Sequence, residues 1–265
     1  MTDAHDRDIA TMFDRIAARY DFLNRALSFG TDVSWRRRAI ARAEIRPGMT
    51  VLDVGAGTGD LSFAAAACGA EVIAIDLSSG MLAVLARRST DAQRARIRPL
   101  VGTAESLPLP DASVDRIVTG FTVRNVGDLG RAFAEFRRVL RPGGRAVVLE
   151  LSHPPGRLFA RLYAFYFERI APAIAMLLGA DREAYRYLPR SLRPFPGPER
   201  LAAMLRDAGF KVTVRFVPLP PRTMLLVGKS AALEEVAVRT RLETAVSGSL
   251  TANEIGGSAM PLVIA

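Results

Sequence analysis

The chain has 265 residues, 49% of them hydrophobic, and a formal net charge of +9, so it can bury one sizeable core. A lone cysteine, Cys68, excludes an intrachain disulfide, and the opening MTDAHDRDIA lacks the basic and apolar regions of a signal peptide, so a cytoplasmic protein is expected. The charge is almost wholly arginine, the only lysines being Lys211 and Lys229; these arginines are dispersed with no aromatic-interleaved basic tract, which argues against nucleic acid and leaves an anionic membrane surface as a candidate partner.

Residues 1–45 read as N-terminal helices, in which Tyr20 and Asp21 belong either to a lid over a site or to an amphipathic helix packed on a sheet. The β-branched apolar run Val51–Val54 then suits a buried parallel strand. Gly55, Gly57 and Gly59 let the backbone turn sharply and approach a ligand with no side chain intervening. A helix is expected near Gly59–Cys68, followed by strand Glu71–Asp76. Asp76 therefore sits at a strand end, about 20 residues past the first glycine, where an acid can accept hydrogen bonds from both hydroxyls of a ribose.

The glycine spacing separates two ligand classes. A dinucleotide loop reads G-x-G-x-x-G so that pyrophosphate can lie on a helix N-terminus, whereas this loop reads G-A-G-T-G-D. With Asp53 and Asp60 flanking the turn, it suits a ligand carrying cationic groups, such as the sulfonium and ammonium of S-adenosylmethionine, better than a pyrophosphate.

Further along come helix Ser79–Arg88, strands Ile97–Val101 and Val114–Thr119, helix Leu129–Leu140, a helix stop and turn at Arg141-Pro-Gly-Gly144, and strand Arg145–Leu151. The apolar, aromatic segment Leu158–Leu178 approaches spanning length but is interrupted by Arg161, Glu168, Arg169 and Pro172. It reads either as a cap that receives an apolar tail or lies on a bilayer, or as a helix covering the sheet or a subunit interface. A helix near Pro198–Ala208 and a hairpin of strands Lys211–Val217 and Thr223–Lys229 follow. The tail, residues 235–265, is expected to be poorly ordered. The alternation predicts an α/β fold with a doubly wound, mostly parallel seven-stranded sheet and an antiparallel edge hairpin. Residues 46–234 form its main domain, interrupted by a cap insertion over residues 155–195.

Two segments outside the loop narrow the reading. Phe13-Asp-Arg-Ile-Ala-Ala-Arg-Tyr-Asp21, with Asn24, Leu27-Ser-Phe-Gly30 and Trp35-Arg-Arg37, resembles the N-terminal signature of the ubiquinone/menaquinone biosynthesis C-methyltransferases. Arg124-Asn-Val126, Arg138-Val-Leu-Arg-Pro-Gly-Gly144 and Tyr185-Arg-Tyr-Leu-Pro-Arg-Ser191 agree with the same family. The resemblance spans Met12 to Lys229 and implies a class I, Rossmann-like methyltransferase. Its cofactor would be S-adenosyl-L-methionine, its product S-adenosyl-L-homocysteine, and its acceptor a lipophilic quinol, either demethylmenaquinol or a methoxy-polyprenyl benzoquinol.

The resemblance also distributes roles. Asp53, Gly55, Gly57, Thr58, Gly59, Asp76 and Leu77 fall on cofactor positions, as do Thr103 and Ala104 on the adenine side and Gly120 after the fourth strand. Thr103 replaces the usual acid or amide, and Phe121-Thr-Val123 replaces the usual phenylalanine-glycine-leucine. Arg124 and Asn125 are the chemical candidates: an arginine is too weak an acid to serve as a base, so Arg124 would stabilise a phenolate or orient a water while Asn125 positions a hydroxyl. Without the resemblance, an arginine paired structurally to an acid is the competing reading. Tyr20, Tyr185 and Tyr187 would wall the ring pocket. His153 follows the fifth strand either as a base or as an ordinary loop residue. No metal is needed, and His5, His153 and Cys68 offer no ligand spacing. A homodimer or a quinone-biosynthesis complex is a candidate assembly, with peripheral contact at the inner face of the membrane. Three other functions remain: methylation of another small or lipophilic acceptor, an inactive quinone- or lipid-binding fold, and a dehydrogenase, against which the glycine spacing argues.

Overall fold

The computed structural model describes residues 2–18, 20–151, 194–217 and 223–230, with residues 161, 165, 169, 170, 187, 191 and 192. His153, Tyr185, Phe167, most of the cap insertion and the tail lie outside the described residues.

Three helices come first, α1 (Thr2–Ile16), α2 (Tyr20–Leu27) and α3 (Thr31–Ala43). Seven strands follow: β1 (Thr50–Val54), β2 (Glu71–Asp76), β3 (Ile97–Val101), β4 (Val114–Gly120), β5 (Leu140–Leu151), β6 (Phe210–Val217) and β7 (Thr223–Ser230). Between them run α4 (Asp60–Ala67), α5 (Ser79–Arg88), the short α6 (Asp91–Arg94), α7 (Leu129–Val139) and α8 (Pro198–Asp207). The sheet order is β3-β2-β1-β4-β5-β7-β6. β1 to β5 pair in parallel, and β7 inserts antiparallel between β5 and the edge strand β6. The expected doubly wound sheet with its edge hairpin is present.

The period-2 alternation of strand side chains explains why these apolar runs are strands. Leu52 and Val54 of β1, with Ile73 and Ile75 of β2, join Phe133 and Phe136 of α7 and Leu201 and Leu205 of α8 in one core layer. Val51, Val72 and Ala74 point the other way, against Trp35 and Ile40 of α3, Leu61 of α4 and Leu82 and Leu85 of α5. Both faces are covered, so the hydrophobic runs are nearly continuous.

One local expectation is corrected. α7 stops at Val139, but the chain passes directly into β5, and Arg141 to Gly144 is an irregular stretch inside that strand, where the β4–β5 register shifts. A side chain at Gly144 would come within 2.8 Å of the Arg141 carbonyl and 3.0 Å of the Asp115 carbonyl, and Gly143 has a φ of 75°, so both glycines serve the bulge that this stretch makes within the strand. The sheet's topological switch lies between β1 and β4, which opens a crevice at their carboxyl ends.

Candidate functional site

The glycine loop occupies that crevice. Gly55, Gly57 and Gly59 have φ of 68°, 56° and 96°, a region that disfavours residues bearing a Cβ. The space around them differs: a Cβ on Gly55 would meet Thr122 at 2.2 Å and one on Gly59 would meet Leu85 at 2.7 Å, whereas one on Gly57 would meet nothing within 4 Å. Gly57 faces a cavity.

That cavity opens at the carboxyl ends of β1, β2 and β4, as ligand sites of this sheet topology do. Of the residues expected to bind the cofactor, Gly55, Gly57, Asp76, Leu77, Thr103, Ala104 and Gly120 line it. Asp76 Oδ2 accepts from the Gly57 N–H and Oδ1 from the Ser78 N–H, each at 2.8 Å. Burial raises its pKa while those two bonds oppose the shift. The carboxylate thus fixes the loop and retains lone pairs for a ligand.

Asp53, Thr58 and Gly59 stand behind the cavity wall instead. Asp53 is fully buried; Oδ2 accepts from Ser62 Oγ at 2.6 Å while Oδ1 has no partner. Burial pushes its pKa up to about 7, with Asp76 adding to the effect and Ser62 opposing it. Thr58 Oγ1 donates to Asp21 Oδ1 at 2.5 Å. Asp60, expected to make the loop acidic toward a ligand, is paired with Arg88 at 2.7 Å and approached by Arg36 at 3.7 Å. The acids lining the cavity are Asp6, Asp76 and Glu105, so the acidic ligand environment survives with a different membership.

The N-terminal helices roof this site. Asp6, Ile9 and Phe13 of α1 and Tyr20 of α2 line the cavity, and His5, Asp14 and Asp21 pin the roof. His5 Nε2 lies 3.0 Å from the Asn125 carbonyl. Asp14 Oδ1 accepts from Ser78 Oγ at 2.5 Å and the Gly80 N–H at 2.8 Å. Asp21 takes the Thr58 hydroxyl and pairs with Arg88 at 2.8 Å. α1 packs against α5 and α2 against α3, and Tyr20 of α2 stands over the crevice.

A second cavity adjoins the first and is lined by Asn24 and Leu27 of α2, Ser28, Asp32, Trp35 and Arg36 of α3 and the turn before it, and Arg124 and Leu151. Tyr20 and Phe121 line both. Phe121 has φ of 62°, a strained conformation for an aromatic residue, held by its N–H to the Leu149 carbonyl at 2.8 Å, by Trp35 at 6.1 Å between centroids and by the Arg36 guanidinium 5.4 Å over its ring.

Arg124 lies in a 3-10 turn, Val123–Asn125, and pairs with Glu150 Oε1 at 2.6 Å, with 8% and 0% of the two side chains exposed. Burial alone would lower the guanidinium pKa, but Glu150, aided by Tyr20 and Tyr187, leaves it above its ordinary value. The structural pairing weighed from sequence is therefore real, and Arg124 does not stand in the wall as an uncompensated cation. Its Nε is buried without a partner. Asn125 lines the first cavity, and its Oδ1 accepts from the Tyr187 hydroxyl at 3.1 Å. Burial raises the Tyr187 pKa, and Arg124 opposes it.

Sequence reasoning missed Glu150, Glu105, Asp14 and the Trp35–Arg36 wall. Glu105, two residues past the expected adenine-side turn, and Glu150, at the end of the fifth predicted parallel strand, carried a positional signal. Asp14 and the wall carried none beyond the signature. Among the described residues, no group of three or more His, Cys, Asp or Glu could hold a metal, and no helix is long and apolar enough to cross a membrane.

A sequence model of the ubiE/COQ5 methyltransferase family matches residues 1–219. The chain is 46% identical over 203 residues to the demethylmenaquinone methyltransferase of Thermus thermophilus, covering 76% of this chain and 92% of the relative. It is 42% identical over 217 residues to the ubiquinone/menaquinone biosynthesis C-methyltransferase UbiE of Geobacter sulfurreducens, covering 80% and 84%. Among solved structures it is similar to the [4+2]-cyclase SpnF, with a TM-score of 0.63, 16% identity and coverage of 86% and 97%. It is also similar to an S-adenosylmethionine-dependent methyltransferase of Thermotoga maritima, with a TM-score of 0.58, 22% identity and coverage of 83% and 98%. At such identities these structures bear on the fold alone.

Proposed function

The chain belongs to the ubiE/COQ5 methyltransferase family, and from that premise we propose that it methylates a ring carbon of a polyprenylated quinol, a precursor of menaquinone, of ubiquinone or of both. It is an S-adenosylmethionine-dependent C-methyltransferase. The observation that carries the acceptor reading is the pair of cavities meeting at Tyr20 and Phe121, one with a strand-end acid and an open glycine, the other setting Leu27, Trp35 and Leu151 beside the polar Asn24 and Arg124.

The first cavity fits S-adenosylmethionine: Gly57 leaves open space, Asp76 offers free lone pairs to ribose hydroxyls, and acids face the ligand. When bound, that cofactor supplies an electrophilic sulfonium methyl and leaves as S-adenosylhomocysteine. The chain's own residues supply alignment. The Arg124 guanidinium, which lines the acceptor cavity, is the donor for an acceptor oxygen as it gains negative charge, acting through a hydrogen bond because Glu150 already balances its full charge. Asn125, held by the Tyr187 hydroxyl, orients the ring from the cofactor side. Tyr20 and the α1 roof exclude water where the cavities join.

The isoprenoid tail leaves between α2 and α3, where Phe22, Phe29 and Val33 are 60%, 74% and 51% exposed beside the acceptor cavity. Aromatic and aliphatic side chains next to the exposed Arg25 and Arg37 suit the anionic inner surface of a bilayer. Of the segment first considered for this role, Phe165 is described and exposed.

Radiolabelled S-adenosylmethionine with demethylmenaquinol and demethylated benzoquinol, assayed separately, tests the reading. Label is expected in at least one extracted quinol, and Arg124→Lys should lower that turnover while leaving cofactor affinity intact. Cofactor binding with no label in either quinol would overturn it.

A further inference from the structure

Away from both cavities, an open groove runs between the second half of α3 and the edge hairpin, lined by Arg38 and Arg42 on one side and by Arg215, Phe216 and Leu225 on the other. Elsewhere in the chain arginines hold carboxylates: Arg36 holds Asp32, Arg88 holds Asp21 and Asp60, and Arg138 holds Glu135 and Asp111. Arg38, Arg42 and Arg215 are exposed, and their guanidiniums make no ion pair or hydrogen bond among the described residues. The groove's carboxylate, Glu44, is already held by Arg145 at 2.6 Å, and that contact keeps its pKa below the usual range. Three uncompensated cations in one groove repel one another and attract an anion.

Resting on the reading of a bilayer-borne acceptor, we propose that this groove seats the phosphate of an anionic phospholipid headgroup and so sets the depth at which the acceptor cavity meets the membrane. The other end of α3 selects lipid over an acidic protein. Phe29 and Val33, 74% and 51% exposed, flank that end next to Ser28 and Asp32 of the acceptor cavity. Arg38 and Arg42 follow Val33 by five and nine residues, about 8 and 14 Å along a helix that rises ~1.5 Å per residue. With the apolar end sunk by the ~5–10 Å usual for an interfacial element, these guanidiniums stand at the level of the phosphates, whose oxygens a planar fork binds in pairs. Arg215, across the groove on β6, closes on the same phosphate layer.

Flotation with vesicles of phosphatidylcholine alone, and of phosphatidylcholine with about one-third phosphatidylglycerol, tests this without turnover. The parent should partition onto the anionic vesicles and leave them as salt rises. Each arginine at such a surface contributes roughly fivefold, so Arg38→Gln, Arg42→Gln and Arg215→Gln combined should weaken partition roughly 100-fold. All three side chains are exposed, so the thermal midpoint and the turnover of a short-tailed, water-soluble quinol should stay near the parent's. The same charge loss at the exposed Arg87, Arg98 and Arg131, on α5, β3 and α7 outside the groove, should cost far less. A groove variant that floats like the parent, or that loses no more than this control, overturns the proposal, as does a parent that ignores anionic vesicles. Failure of the parent on the soluble quinol falls on the acceptor reading alone, and failure of flotation on the groove alone.

Discussion

The two cavities are adjacent but held together differently. In the cofactor cavity the key acid is fixed by backbone groups, the N–H of Gly57 and of Ser78, and the wall is made of strand ends. In the acceptor cavity polar side chains hold one another: Arg124 holds Glu150, and Asp32 takes both Ser28 Oγ at 2.9 Å and Arg36. A backbone-held site survives most side-chain changes around it. A site held by buried charged partners fails when one partner is removed, because the other is left desolvated and unpaired.

The sharpest way to break this contrast is Glu150→Ala. It strands the buried Arg124 guanidinium and should destabilise the fold by about 3–5 kcal/mol, read as a shift in the urea midpoint. Replacing both partners with methionine should recover most of that stability and none of the turnover. A parent-like midpoint for Glu150→Ala would mean that the pair does not hold the acceptor wall.

On the cofactor side the expected effect depends on pH. Because the Asp53 pKa rises to about 7 on folding, the native state holds that proton more tightly than the unfolded chain. Its contribution is fully present below the unfolded value and is lost as pH rises through about 7, a change on the order of 4 kcal/mol. Asp53→Asn keeps an acceptor for Ser62 and removes the titration. The stability difference between variant and parent should therefore grow in the variant's favour between pH 4 and 8. Parallel urea midpoints across that range would refute the raised pKa.

The smallest expected effect separates the two halves functionally. Asp76→Ala should weaken S-adenosylmethionine binding by about 1.5–3 kcal/mol through lost charge-assisted hydrogen bonds, with part of the loss reflecting a loop no longer tied at Gly57 and Ser78. Acceptor affinity, measured at saturating cofactor, should stay near the parent's. Unchanged cofactor affinity by calorimetry in the folded variant would remove Asp76 from the site.

Much of the cofactor half was legible because its signals are local. Three glycines within five residues and an acid at the end of the next strand obey rules of backbone conformation and strand period. The elements from β1 to β7 followed from the same periodicities, the main exception being Arg141 to Gly144, where residues that favour a turn instead make an irregular strand stretch. The acceptor half was named from a family signature, and the physical roles of its residues were not readable in advance. Arg124 gave no local sign of Glu150, 26 residues on, and Asp60 gave none of Arg88.

The sequence by itself determined the sheet, the glycine loop, the strand-end acid and the membership of the family, because hydrophobic period and backbone freedom act over a few residues. Tertiary structure decided which acids face the ligand. It buried Asp53, neutralised Asp60 with Arg88, paired Arg124 with Glu150 and left Glu105 Oε2 and Arg124 Nε without partners. The charge that a residue presents to a ligand depends on its desolvation and on its nearest opposite charge, and both are set only when distant segments meet.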